Sequence, residues 1–177
     1  MVFMPLVGMP PALKLIGPGA GTPFGNMTDG GGLARAFADP PSPTASVWSG
    51  GADSAYTPYA ATPGQGLIGL ILPGPAPIRG YKAWSSGSGW DQAAQGATIT
   101  HELQASNDTS TGLDGTWLTL HSASVADLWG AQDIRDVLFA DATPHFRAYR
   151  LRLTGTYHSG GQAFQCNALR FYVTTWV

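Results

Sequence analysis

The stretch that decides the fold covers residues 146–173, where two alternating runs flank a glycine-rich link. It reads Phe146-Arg-Ala-Tyr-Arg-Leu-Arg-Leu-Thr154, Gly155-Thr-Tyr-His-Ser-Gly-Gly-Gln162 and Ala163-Phe-Gln-Cys-Asn-Ala-Leu-Arg-Phe-Tyr-Val173. Side chains alternate across a β strand, so each run presents one apolar face. Those faces consist of Tyr149, Leu151 and Leu153 in the first run and of Leu169, Phe171 and Val173 in the second. Two such runs around a turn-rich link are typical of paired antiparallel strands that an upstream sheet must cover.

The composition favours one domain built from short strands and tight turns. A chain of 177 residues is long enough to bury roughly 70% of its surface. Only 11% of the residues are charged, whereas about 25% is usual, and 24 glycines and 14 prolines argue against a helical protein. The net charge of −2 gives no basis for binding nucleic acid, which requires a basic surface. The single cysteine, Cys166, forms no internal disulfide, and its place in a strand predicts a buried, inert thiol.

Upstream of this stretch, the periodicity predicts several further strands. Residues 67–72 are apolar on both faces, which is typical of a central strand covered on both sides, and residues 73–77 read as a turn. Only residues 124–131 have helical spacing, and they predict a short helix or turn capped by Ser124. The other predicted strands are residues 78–84, 98–105, 116–121 and 135–140.

The N-terminal residues are apolar but rich in proline. No basic residue precedes the apolar part, and Pro5, Pro10 and Pro11 interrupt it, so it is predicted to be neither a signal peptide nor a membrane span. We expect an extended arm with one short strand at residues 12–16. An apolar arm needs a surface that covers it, so it either docks on a partner or forms the first edge strand of its own domain.

The order of the motifs resembles that of the discoidin-like family, also called the coagulation factor 5/8 type C family. Glu102-Leu-Gln-Ala-Ser-Asn-Asp108, followed by Trp117 and Leu120, is the most specific match. The other matching pieces are Ala36-Phe-Ala-Asp39 with Trp48, Ile78-Arg-Gly-Tyr-Lys-Ala-Trp84, Tyr149-Arg-Leu-Arg-Leu153 and Ala168-Leu-Arg-Phe-Tyr172. The resemblance covers residues 33–173. It implies a galactose-binding-like sandwich, in which Trp48 packs in the core and the two closing strands need not pair with each other.

We therefore predict an all-β protein, an antiparallel jelly-roll-like β-sandwich with an extended N-terminal arm. Residues 1–32 would form the arm and a Gly/Pro-rich linker, and residues 33–177 the discoidin-like domain. The resemblance also implies a structural calcium ion near Asp39 in many family members. Here Pro40 and Pro41 follow that aspartate, and Ala168 stands where an acid is frequent. Because losing a carboxylate weakens a calcium site, we predict no cofactor and no metal site, with calcium near Asp39 as the alternative.

The sequence contains no complete catalytic motif. The four histidines have no metal-ligand spacing, and His101-Glu102 begins a zinc-protease motif whose second histidine is replaced by Ala105. The loop aspartates could be posed as a glycosidase pair, but nothing in the sequence pairs them. We predict that the protein is not an enzyme.

Binding is the better functional class, because sugars are held by an aromatic face together with polar side chains. The resemblance places such groups on loops at one end of the sandwich. The ligand-binding candidates are Trp90, Asp91, Tyr157, His158, Asp53 and Tyr56. Four arginines could form a basic stripe, although such residues more often solvate one sheet face or pair with acids. They are Arg147, Arg150, Arg152 and Arg170.

Two functions follow from this sequence. The first is a virion structural or adhesion protein of a tailed phage or similar particle, as head decoration, tail fibre or tail tip. It would bind other virion proteins through the arm, work within an oligomeric assembly, and present the domain to host-surface glycans, without nucleic acid or membrane insertion. The alternative is an extracellular carbohydrate-binding module or lectin not associated with a virion.

Overall fold

The computed structural model describes twelve β strands in the part of the chain that it places. The described residues are 12–16, 19–26, 29–30, 33, 36–37, 55–56, 65–84, 99–125, 134–155, 165–166 and 168–175. The strands are β1 (Ala12–Ile16), β2 (Thr22–Gly25), β3 (Asp29–Gly30), β4 (Ala55–Tyr56), β5 (Gln65–Ala76), β6 (Gly80–Trp84), β7 (Ile99–Ser106), β8 (Leu118–Val125), β9 (Ile134–Leu138), β10 (Phe146–Gly155), β11 (Gln165–Cys166) and β12 (Ala168–Thr175).

These strands form two large antiparallel sheets and one small one. The five-stranded sheet has the order β2-β5-β10-β7-β8, the four-stranded sheet β1-β12-β6-β9, and the small sheet β11-β4-β3. The inner faces of the two large sheets share one buried apolar cluster. The predicted all-β, jelly-roll-like sandwich is therefore confirmed.

The two closing runs lie in opposite sheets. β10 is the middle strand of the five-stranded sheet, whereas β12 pairs with β1 and β6 in the other. The pairing suggested by periodicity alone is wrong, because the two apolar faces meet across the core instead of lying side by side. Which faces are buried was predicted correctly, since Leu151, Leu169 and Phe171 have no exposed surface.

Tyr149 connects the two sheets at the centre of this core. Its ring lies 5.7 Å from that of Phe171, measured between centroids. Its buried hydroxyl donates to the carbonyl of Ala76 at 2.6 Å and contacts the Thr143 hydroxyl at 3.1 Å. One side chain thus packs the sheets together and also ties down the connections that follow β5 and β9.

β5 confirms the predicted central strand but is longer than predicted. Leu67, Ile68 and Leu70 are buried, and the strand lies between β2 and β10. The predicted turn at residues 73–77 is wrong for its first four residues, because β5 runs on to Ala76. β2 pairs only as far as Ile71, so the proline-containing end has a single neighbour and needs fewer amide donors.

The described part of the predicted arm is built into the sandwich. The strand expected at residues 12–16 is present as β1 and forms the edge of the four-stranded sheet, which is the second of the two readings left open. β2 forms an edge of the other sheet. Residues 1–11 lie outside the described residues, so an arm there stays a prediction.

The region predicted as helical begins as a strand. Ser124 and Val125 end β8, and the Ser124 hydroxyl lies 2.9 Å from that of Thr100 on the neighbouring strand. Cross-strand pairing with β7 therefore overrides the local helical spacing at these two residues. Residues 126–131 lie outside the described residues.

The four arginines do not form a basic stripe. Arg150 and Arg170 are buried in different sheets, and Arg152 pairs with Glu102 at 2.7 Å. The alternative reading, pairing with nearby acids, holds for Arg152. Cys166 is fully buried, and burial raises the pKa of its thiol to about 12, so the predicted inert thiol is confirmed.

His101 is the histidine buried most deeply among the described residues. It lies on the inner face of β7 with 2% of its surface exposed. Burial, reinforced by the nearby Arg135 and His121, lowers the pKa of His101 from 6.5 to about 4. The folded protein therefore resists protonation of His101 more strongly than the unfolded chain does.

We expect acid to destabilise the fold through His101. The pKa of His101 is lower in the folded protein than in the unfolded chain. Its contribution to the free energy of unfolding is therefore fully present above about pH 6.5 and is lost as the pH drops towards 4. The loss between pH 7.5 and pH 4.5 should be about 2–3 kcal/mol. Urea unfolding of His101→Leu should show a shallower pH dependence than the wild type, whereas the exposed His145→Leu should not. Equal pH slopes for the wild type and His101→Leu would contradict this assignment.

Candidate functional site

The two ends of the sandwich differ in how their strands are connected. At one end, residues 77–79 join Ala76 of β5 directly to Gly80 of β6, and residues 139–145 join β9 to β10. We call this the short-connection end. The register places Gln65, Ile99, Val125 and Gly155 at the opposite end of the five-stranded sheet. Trp84, Ile134 and Ala168 lie at the corresponding end of the four-stranded sheet.

This opposite end, which we call the loop end, receives four long connections, whereas the other end receives one, the loop 107–117 between β7 and β8. The segments 57–64, 85–98, 126–133 and 156–164 all attach to strands there. The small sheet is linked to this end through the chain, because β11 ends at Cys166, two residues before β12 begins at Ala168. Loops supported by a rigid scaffold are the usual location of binding residues.

Four of the six predicted ligand-binding residues, Trp90, Asp91, Tyr157 and His158, belong to the segments 85–98 and 156–164, which attach at the loop end. Tyr56 lies in β4, where its backbone is paired with Gln165 and with Asp29. The topology thus attaches two candidate-bearing segments to the loop end and pairs the strand that carries Tyr56 with β11, just before β12. The side chain of Tyr56 lies outside the described residues, as do the whole of Asp53, Trp90, Asp91, Tyr157 and His158, so their role stays a prediction.

The scaffold beneath the loop end is tightly packed. Arg170 is 3% exposed and donates to the carbonyl of Ala36 at 2.9 Å. Ala168 is buried, and its carbonyl accepts a hydrogen bond from the Cys166 thiol at 3.4 Å. A carboxylate at position 168 would therefore be buried, so the alanine fits its surroundings. Asp39 and Trp48 lie outside the described residues, and a calcium ion near Asp39 stays untested.

The most family-like motif has a structural role at the short-connection end. Asn107 clamps the start of β10, since its side-chain carbonyl accepts from the amide of Arg147 at 2.8 Å and its amide donates to the carbonyl of His145 at 3.2 Å. Asp108 accepts from the Ser106 hydroxyl and from the amide of Thr116, both at 2.8 Å. These hydrogen bonds keep the pKa of Asp108 below its usual value.

Asp114 organises the rest of the same loop. Its carboxylate accepts from the hydroxyls of Thr109 at 2.7 Å and Ser110 at 2.5 Å, and from the amide and hydroxyl of Thr111, both at 2.9 Å. These hydrogen bonds hold the pKa of Asp114 far below its usual value. A carboxylate that stays ionised and is engaged by its own loop is poorly suited to act as a general acid.

The loop folds over the outer face of the five-stranded sheet through a stacked pair. The guanidinium of Arg150 lies 3.8 Å from the centroid of the Trp117 ring and donates to Gln104 at 2.8 Å and to the carbonyl of Gly112 at 3.2 Å. Phe24 of β2 packs beside Trp117, with 5.8 Å between the ring centroids. Gly112 has a φ of +82°, and a side chain there would meet the Phe24 ring at about 2 Å.

Sequence reasoning missed this stacked pair and the role of Asp114. Arg150 occupies a polar position of an alternating strand, which is usually a solvent-facing position. Its partners lie 33 to 46 residues away in the chain, so no local pattern could reveal them. The Thr-Ser-Thr run ahead of Asp114 was the available signal, because hydroxyl side chains favour local hydrogen bonds to a nearby carboxylate.

Two further findings limit what the described residues can do. No group of three or more His, Cys, Asp or Glu side chains among them is placed to hold a metal ion. No helix in the same residues is long and apolar enough to cross a membrane.

Replacing Arg150 should weaken the fold. In Arg150→Met, Gln104 and the Gly112 carbonyl lose their charged donor and Trp117 loses its stacking partner. We expect a loss of roughly 1–3 kcal/mol in the free energy of unfolding, measured by urea denaturation. Arg147→Met is the matched control, because Arg147 is exposed, and it should change little. Equal effects of the two substitutions would show that the stack does not stabilise the protein.

A spin label at position 90 should report the grouping of segments at the loop end. Cys166 is buried and its thiol pKa is raised to about 12, so Trp90→Cys provides the only reactive thiol. NMR should show stronger broadening of the Val125 and Gly155 amides than of the Asn107 and Leu138 amides. A label on Asp141→Cys, at the short-connection end, should give the reverse pattern. The same pattern from both labels would contradict the grouping.

Comparison with known proteins finds likeness in structure and not in sequence. No family model and no curated protein matches the sequence. The fold is similar to the family 32 carbohydrate-binding module of NanJ from C. perfringens, solved with galactose (TM-score 0.61, 13% identity, 91% of this chain and 99% of that one). It is also similar to chitosan-binding module 1 of a Paenibacillus chitosanase/glucanase (TM-score 0.55, 17% identity, 86% of this chain and 95% of that one). A fucolectin from striped bass serum is similar as well (TM-score 0.59, 13% identity, 87% of this chain and 47% of that one). These likenesses show that the chain has the discoidin-like, galactose-binding-like sandwich fold.

Proposed function

We propose that the protein is a non-catalytic carbohydrate-binding module whose ligand binds at the loop end. The observation that carries the proposal is the topology, which attaches the segments carrying Trp90 and Tyr157 to one end of the sandwich and pairs β4, which carries Tyr56, with β11 just before β12. These segments contain Trp90, Tyr157 and Tyr56, whose rings can stack on the apolar face of a sugar. Asp53, Asp91 and His158 provide partners for its hydroxyl groups.

The structural neighbours support this class of function. They include a module solved with galactose, a chitosan-binding module and a fucolectin. The virion role predicted from the sequence receives no support from these neighbours, and the alternative of a carbohydrate-binding module fits them at least as well. Location outside the cell and an oligomeric assembly both stay predictions.

The described acids favour binding over hydrolysis. A glycosidase needs two carboxyl groups about 5–10 Å apart on either side of the bond that is cleaved. Glu102 is paired with Arg152 and Asp136 with Lys82, while Asp108 and Asp114 serve their own loop. Each of these four carboxylates therefore has a structural partner. Some of the neighbours are nevertheless parts of enzymes, such as an alginate lyase, so a module joined to a catalytic domain is compatible with this proposal.

A glycan array tests the proposal directly. The array should carry galactose, GalNAc-β-1,3-galactose and chitosan oligosaccharides, which are ligands of the structural neighbours. We expect the wild type to bind at least one of them. Trp90→Ala and Tyr157→Ala should each weaken that binding by roughly tenfold or more, because a lost stacking ring removes on the order of 1–2 kcal/mol.

The matched control is Trp117→Ala, which removes an aromatic ring from the short-connection end. It should retain binding within about twofold while lowering stability. No binding by the wild type to any of the three ligand types would overturn the proposal. Wild-type affinity in both Trp90→Ala and Tyr157→Ala would instead place the binding surface elsewhere.

A further inference from the structure

The outer face of the four-stranded sheet carries an aromatic ring that spans a neighbouring strand. Tyr172 of β12 is paired with Gly80 of β6, and Asp136 of β9 lies on the far side of β6, opposite Lys82. The Tyr172 hydroxyl nevertheless donates to the Asp136 carboxylate at 2.8 Å. Adjacent strands are about 4.8 Å apart, so the ring must lie low across β6 to reach it.

The ring is held in this position by a row of polar contacts from Tyr172 through Asp136 to Lys82. Asp136 also pairs with Lys82, with 3.0 Å between the charged atoms. Burial, followed by the hydrogen bond and the charge of Asp136, raises the pKa of Tyr172 to about 12, so its hydroxyl stays protonated and keeps donating. The side chains of Lys82 and Asp136 remain 25% and 41% exposed, so both can accept a further partner.

Apolar side chains border the ring on both sides. Leu15 of β1 is paired with Tyr172, and Leu138 of β9 is paired with Gly80, so the four positions form one row across the sheet. Leu138 is 56% exposed, so its side chain is available to a ligand. The row lies at the short-connection end, separated from the loop end by the length of β6.

We propose that this face is a second carbohydrate-binding surface, on which an uncharged pyranose stacks on Tyr172 beside Leu138 and hydrogen-bonds to Asp136 and Lys82. An immobilised ring together with an adjacent leucine matches the apolar face of a sugar. A carboxylate and an ammonium group at the edge of the ring supply an acceptor and donors for its hydroxyl groups. Because the charges of Lys82 and Asp136 compensate each other, the surface favours a neutral sugar over an acidic one.

The test is an NMR titration of the full chain with three sugars: galactose, N-acetylglucosamine and, as an acidic comparison, galacturonic acid. We expect at least one neutral sugar to shift the amides of Lys82, Leu138 and Tyr172, with galacturonic acid giving clearly smaller shifts. Shifts at Ile99, Val125 and Gly155 report the loop end separately. Failure of one site is thereby distinguished from failure of the other.

Two variants identify the binding groups. Tyr172→Ala and Leu138→Asp should each lower the apparent affinity obtained from the shifts on this face by tenfold or more. Both should leave any loop-end shifts unchanged. Leu138→Asp covers the case in which Tyr172→Ala does not fold, since Leu138 is largely exposed. Absence of shifts on this face with both neutral sugars, or shifts that survive in Leu138→Asp, would overturn the proposal. A concentration-dependent dimer that Leu138→Asp disrupts, without sugar-induced shifts here, would overturn it in favour of a second copy of the chain.

Discussion

The contact between Tyr149 and Phe171 is the interaction on which the rest of the structure depends. It joins the middle strand of one sheet to an interior strand of the other, at 5.7 Å between ring centroids. A sandwich is stable only when the apolar faces of both sheets cover each other, and these two rings lie within the largest buried cluster. The Tyr149 hydroxyl is satisfied by the Ala76 carbonyl, so burying it carries little cost.

This arrangement places the hydrogen bonds that stabilise the fold away from the proposed binding surface at the loop end. A hydrogen bond donated by Tyr149 and bonds accepted by Asn107 and Asp114 stabilise the short-connection end. The loop end receives the long segments, whose composition of aromatic and polar residues is suited to a ligand. A rigid scaffold with ligand groups on attached loops needs little reorganisation on binding, which favours affinity. The proposed Tyr172 surface lies on the sheet itself at the short-connection end, where the hydrogen bond to Asp136 has already fixed the ring.

The sequence predicted the strands and their buried faces well, because period-2 alternation directly reflects burial in a sheet. It failed where distant contacts decide the outcome. Ser124 has helical spacing but pairs with Thr100. Pro73 resembles a turn residue but lies in the long strand β5, beyond the last residue that pairs with β2. Periodicity alone also paired β10 with β12, since it does not encode which sheet a strand joins. For the candidate site, sequence and topology agree on the grouping of segments, whereas the orientation of side chains such as Trp90 cannot follow from either.

The separation of β10 and β12 into opposite sheets gives the sandwich its loop end, where we propose that a sugar binds. The most direct test is a crystal structure of the protein soaked with galactose or a chitosan oligosaccharide. We expect sugar density at the end formed by Trp84, Val125 and Gly155, in contact with Trp90 or Tyr157. A fully occupied sugar bound elsewhere, with an empty loop end that no neighbouring molecule blocks, would contradict it.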